Sequence, residues 1–176
     1  MKLIILIFES FLLFRLGLVL RDTRKIEKNH IEEVKQQFPD LTKIGLLKRR
    51  IKINRYYHRF FLKNSLIARV CTLIGTLAYL SVCISILNIN ISLLNISAGI
   101  LAYAVSIAYL FGPSVSEWYK YMEKYLESHP ENELKVCLAS REELLRLEKN
   151  RRKSGYILGL MATGNILAAL HLIFIA

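Results

Sequence analysis

Four apolar stretches, residues 1–20, 65–87, 92–112 and 154–176, alternate with two segments that hold most of the charge. Of 25 lysines and arginines, 13 lie in residues 21–63 and 9 in residues 113–153. A hydrocarbon core about 30 Å thick takes about 20 apolar residues of helix to cross. Each stretch reaches or nearly reaches that length. The chain therefore reads as an all-α integral membrane protein with four transmembrane helices and two helical cytoplasmic loops. Basic charge gathered in this way is a topology signal before it is a nucleic-acid signal.

Lysine- and arginine-rich loops stay in the cytoplasm. Both long loops, 21–64 and 113–153, are expected inside. The uncharged hairpin from Asn88 to Ile91 and both termini are expected outside. The resulting localisation is a multi-pass protein of the bacterial inner membrane. The first stretch holds Glu9 and Arg15. An acidic residue inside the apolar run, with no small-residue cleavage site after it, argues for a retained span over a signal peptide. Arg15 and Arg69 can snorkel to the interface.

The three cysteines form no CxxC and are odd in number. Cys71 and Cys83 fall in an apolar stretch and Cys137 in a loop, so all are expected reduced, with no metal site and no cofactor.

Ile26, Ile31, Val34 and Phe38 fall at helical spacing, and Pro39 ends that helix. Leu41, Ile44, Leu47 and Ile51 begin a second helix expected to run unbroken into the second span. Its basic and aromatic end includes Lys48, Arg49, Arg50, Arg55, Tyr56, Tyr57 and Arg59. With Arg151, Arg152 and Lys153 before the fourth span, these are candidates for contact with anionic lipid or a protein partner. Closeness to a span favours lipid over nucleic acid. In the second loop, Ser114 with Glu117 and Ser140 with Glu143 fit capping boxes. Trp118, Met122, Tyr125 and Leu126 would share one face of the helix between Ser114 and Pro130. The apolar faces of the loop helices are expected to cover one another.

Polar residues inside a bilayer are costly and so are candidate sites. At about 1.5 Å per residue, Glu9, Thr76 and Asn165 would lie about 18 Å deep. Asn95 and His171 would lie near the outer interface. The two sets are candidate polar layers. Ala98, Ala102 and Ser106, and Gly155 and Gly159, recur every four residues, which lets helices approach closely. They are expected to build the bundle, with a homo-oligomer or another membrane protein as the alternative partner. No Walker loop, GxSxG, HExxH or acidic metal cluster occurs, and the chain is not expected to be an enzyme.

The chain divides into two-span units, 1–87 and 88–176, with parallel landmarks: Pro39 and Pro130, Ser65 and Ser154, Gly75 and Gly164. The parallels fit a tandem duplication. Phe38-Pro39-Asp40-Leu41 followed by Ile44-Gly45, and His129-Pro130-Glu131, resemble an element of small bacterial inner-membrane proteins of the universal stress protein B type. The second copy lacks the glycine. The resemblance covers the layout of most of the chain but only about ten residues in detail. It implies a non-enzymatic, stress-related inner-membrane role and supplies no catalytic residues. The expected function is structural or regulatory interaction through the basic cytoplasmic helices. Alternatives are a small channel, holin-like or membrane-perturbing defence effector, and a transporter subunit using Glu9.

Overall fold

A computed structural model describes residues 2–175; the side chains of residues 2, 3, 5, 59–64 and 175 lie outside the described set. The order is α1 (Lys2–Gln37), α2 (Lys43–Asn64), α3 (Leu66–Leu87), α4 (Ile91–Phe111), α5 (Val115–Ser128) and α6 (Arg141–Ile175). No strand occurs among the described residues.

The helix ends follow the punctuation. α1 stops two residues before Pro39, where the chain cannot stay in the α region. α5 opens on a complete capping box, with Ser114 Oγ accepting from the Glu117 amide and Glu117 accepting from the Ser114 amide. Ser140 and Glu143 repeat it before α6. α5 gives way at His129, before Pro130. Two expectations differ from the structure. α1 joins the first apolar stretch to the first loop helix without a break, because nothing between Leu20 and Ile26 is a helix breaker. The second loop helix does not run on into the next span, since α2 ends before Ser65. Serine hydrogen-bonds its own backbone neighbours and favours the residue before a helix. The breaks therefore fall at different places in the two halves of the chain.

The chain forms two compact units. An apolar unit takes Met1–Leu20, Leu66–Gly112 and Arg151–Ala176; a polar unit takes Arg21–Ser65 and Pro113–Asn150. The division is by polarity and cuts across the boundary between residues 87 and 88.

Among the described residues three helices, α3, α4 and α6, are long and apolar enough to cross a membrane. Within their apolar windows only 17%, 22% and 17% is buried inside the chain. Leu73, Leu77, Leu80, Ile84 and Leu87 on α3 are all more than half exposed. Full burial of one such side chain is worth about 1.5–3 kcal/mol, so leaving these in water would cost on the order of 5–10 kcal/mol on α3 alone. This surface calls for lipid or another apolar body around it.

Small residues set the seams within the apolar unit. On α3 the buried residues are Ala68, Cys71, Ala78 and Ser85, the last three recurring every seven residues. On α4 they form two pairs seven apart. Ser97 and Ala104 face α3: Ser81 and Ser97 share a hydroxyl hydrogen bond of 2.7 Å, and the Gly75 α-carbon looks onto Ala104. Gly99 and Ser106 face α6: Ser106 Oγ donates to the Gly155 carbonyl at 2.7 Å, and a Cβ on Gly99 would lie 2.7 Å from Ile166 Cγ1. The two pairs are offset by two residues, about 200° around a helix. They place α4 between α3 and α6. The α3–α4 hairpin closes through Ile89 at φ 52°, with Asn90 Oδ1 accepting from the Leu93 amide to cap α4.

Candidate functional site

The polar unit holds a core of Ile53, Met122, Tyr125 and Val136, with Tyr56, Tyr57, Trp118, Tyr121, Leu126, Leu134 and Leu138 against it. The α5 face expected from the sequence is present. It meets one face of α2 through aromatic pairs. Tyr56 stacks on Tyr121 at 5.3 Å and meets Tyr125 edge-on at 5.1 Å, while Tyr57 meets Trp118 edge-on. Burial and the neighbouring Tyr56 hydroxyl push the Tyr121 phenol up to about 12.

Tyr56, Tyr57 and Arg49 were expected at a headgroup surface and instead point inward. Arg49 is half-buried and donates from Nε to the Lys135 carbonyl at 2.7 Å. A helix has two long faces, and the aromatics took the protein face because their rings fill the space against α5.

The opposite face of α2 is uncovered. Ile44, Leu47 and Ile51 recur at three and four residues and are 67%, 59% and 48% exposed. They were expected to cover the other loop helices and do not. Lys48 and Arg55 lie on that same face by helical spacing. Arg50 and Lys52 flank it, and all four cations are exposed. The side chain of Arg59 lies outside the described residues.

The segment from His129 to Ser140, joining α5 to α6, is held by its own hydrogen bonds. Asn132 Oδ1 accepts from the Val136 amide at 2.7 Å, and its Nδ2 donates to the Val136 carbonyl at 3.0 Å. Tyr125 Oη accepts from the Leu134 amide, and Lys135 Nζ sits over the Phe38 ring. This arrangement fixes Cys137 beside His30 and Glu33 of α1, with one donor atom of each within 4.8 Å of the others. Burial first, and the Glu33 carboxylate second, push the Cys137 thiol up, with Arg49 opposing. At the base of α6, Asp22 accepts from Arg146 at 2.6 Å and from Asn150 at 2.8 Å. The Asn150 hydrogen bond and the Arg146 charge hold the Asp22 carboxyl below its usual value.

The expected polar layers are not joined by hydrogen bonds. Thr76 Oγ1 donates to the Thr72 carbonyl and Asn165 Nδ2 to the Met161 carbonyl, each on its own helix. Glu9 lies against Gly164, with Oε1 shielded and without a hydrogen-bond partner. Asn95 and His171 are half-buried. Of the packing residues, Ser106, Gly155 and Gly159 lie on the α4–α6 seam. Ala98 and Ala102 are half-buried, and Gly99 takes the place expected of Ala98 because the repeat is seven residues rather than four. Arg151 reaches the Gly112 carbonyl beyond the end of α4, and Arg152 and Lys153 are exposed. The cysteines are free thiols. Sequence spacing could not reveal the grouping of Cys137 with His30 and Glu33, because more than 100 residues separate them.

Comparison of the chain with protein-family models, curated proteins and solved structures gives no match.

Proposed function

We propose that this is a non-enzymatic multi-pass membrane protein whose polar unit works against the anionic surface of the bilayer through α2. The observation that carries the reading is the uncovered face of α2, where Ile44, Leu47 and Ile51 alternate with Lys48 and Arg55. Apolar side chains that dip below the headgroups, with cations at their level, are the chemistry of an in-plane interfacial helix. A single residue, Ser65, separates α2 from α3, which is long and apolar enough to span. Each lysine or arginine near an anionic surface contributes about 1 kcal/mol, so Lys48, Arg50, Lys52 and Arg55 together contribute about 4 kcal/mol. Both long loops then face the cytoplasm, and the first apolar stretch forms a fourth span. The role is structural or regulatory, with lipid as the primary partner.

The test places an environment-sensitive fluorophore on a single cysteine at Leu47 in the reconstituted chain. Emission should shift to the blue in vesicles rich in phosphatidylglycerol and return toward the red in phosphatidylcholine at high salt. Equal emission in both would sink the reading. Accessible cysteines at Ile4 and Asn90 with a protected one at Glu133 would support four spans with the loops inside.

A second reading, an ion path through the apolar unit, is favoured by the shielded, unpartnered Glu9 Oε1. Ion leakage that disappears in Glu9→Gln would support it, and leakage unchanged by that substitution would exclude it.

A further inference from the structure

The geometry points to a zinc-class metal site made by His30, Glu33 and Cys137 in the polar unit. His30 and Glu33 are three apart on α1 and so project from one face of the helix. Cys137 comes from the α5–α6 connector. Their donor atoms all lie within 4.8 Å of one another, and His30 Nδ1 is 3.5 Å from Glu33 Oε2. Around a tetrahedral zinc ion with bonds of about 2.0–2.3 Å, neighbouring donors stand about 3.4–3.6 Å apart. One pair already has that spacing, and the thiol needs to close by at most about 1.4 Å, which a χ1 adjustment supplies.

A second observation points the same way. His30 Nδ1 is shielded from solvent and makes no hydrogen bond, with only the Glu33 carboxylate at 3.5 Å in ion-pair reach. A shielded ring nitrogen without a hydrogen-bond partner loses the free energy of its hydration, and a metal ion offers its lone pair a partner. The connector is already fixed where the site needs it. Asn132 holds Val136 on both sides of its peptide unit, and Arg49 holds the Lys135 carbonyl. Little ordering remains to be done when the ion binds.

The donor set selects the ion. One thiolate, one imidazole and one carboxylate suit zinc, whereas calcium and magnesium require six or more oxygens. On binding, the ion replaces the thiol proton of Cys137. The thiolate and the Glu33 carboxylate then balance its double charge. Arg49 and Glu143 act on Cys137 with opposite sign. Glu33 is half-exposed, which leaves the fourth position open to water. Bound metal would clamp α1 to the connector. This site is independent of the lipid-facing surface of α2.

The test uses the full chain in detergent, stripped with a chelator and titrated with cobalt(II). A thiolate-to-cobalt charge-transfer band in the near-ultraviolet should appear at one equivalent and disappear on adding zinc. Cys137→Ser should abolish the band, while Cys71→Ser and Cys83→Ser should keep it. His30→Ala and Glu33→Gln leave the thiol in place and should weaken binding by more than about tenfold, with helicity by circular dichroism unchanged. No band, a band that survives Cys137→Ser, or unchanged affinity in both His30→Ala and Glu33→Gln would overturn the assignment.

Discussion

Gly99→Ala tests the α4–α6 seam directly. The added Cβ would stand 2.7 Å from Ile166 Cγ1 and 3.2 Å from the Ala162 carbonyl oxygen. Carbon atoms rest about 3.5–4.0 Å apart, so the helices must separate by about 1 Å. Rotating Ile166 does not suffice, because the second obstacle is backbone. A gap of that size forfeits a quarter to a half of each dispersion contact along the seam, and with overpacking strain the cost is about 1–3 kcal/mol. The Ser106 bond to the Gly155 carbonyl lengthens with it. Alanine's better helix propensity returns up to about 1 kcal/mol, for a net loss of about 1–2 kcal/mol. In a chain of this size that lowers the midpoint by about 2–8 °C. Gly17→Ala is the paired control, since a Cβ there meets nothing within 4 Å. Cys71 is buried on the α3 seam, so a fluorogenic thiol reagent reports opening of the bundle in a Cys83→Ser, Cys137→Ser background. Gly99→Ala should melt below its parent and Gly17→Ala at or above it. Equal midpoints for the two variants would refute the close approach of α4 and α6.

Three further outcomes follow from the same geometry. Tyr125→Phe strands the Leu134 amide and should cost about 1–2 kcal/mol, read as a lower denaturation midpoint and faster hydrogen exchange at Leu134. Asp22 has a lowered carboxyl pKa in the folded chain, so its pairing stabilises fully above the unfolded value of about 3.9 and is lost as pH falls through the lower folded value. Asp22→Asn should therefore flatten the acid limb of a midpoint-against-pH profile, and an unchanged limb would contradict the pairing. Ile89 holds φ 52° at the hairpin tip, a region that costs a β-branched residue about 1–2 kcal/mol. Ile89→Asn should raise the melting midpoint by a few degrees.

The sequence exposed some levels of this structure and concealed others. Helix ends were readable where a local rule decides them: Pro39, Pro130 and the two serine–glutamate boxes each act within four residues. Three of the four expected spans, in α3, α4 and α6, were readable because length and apolarity are properties of a single segment; among the described residues the first stretch is not one of the helices long and apolar enough to cross. The sidedness of α2 was not readable in the same way. Both of its faces carry apolar residues, Ile44, Leu47 and Ile51 on one and Ile53, Tyr56 and Tyr57 on the other, so periodicity alone cannot choose which turns inward. The choice belongs to α5, whose Trp118, Met122 and Tyr125 accept rings. Likewise, the four-residue spacing of Ala98 and Ala102 was a true helical signal with the wrong register. The seam follows Gly99 and Ser106 because the partner helix repeats every seven residues. His30 and Cys137 meet only through the chain's return after α5, a pairing that no local pattern encodes.

The two seams of α4 also bear on how such a chain can change over time. Ser97, Gly99, Ala104 and Ser106 each have a neighbouring helix against the Cβ position or beside it, so larger side chains are excluded. Leu73, Leu77, Leu80 and Ile84 face outward, and in lipid their only requirement is to be apolar. Leucine, isoleucine, valine and phenylalanine are interchangeable there. A lineage carrying this architecture can rewrite its outward surface freely while the spaced small residues stay fixed. Its remote members would share a rhythm of glycine, alanine and serine rather than any run of identical letters.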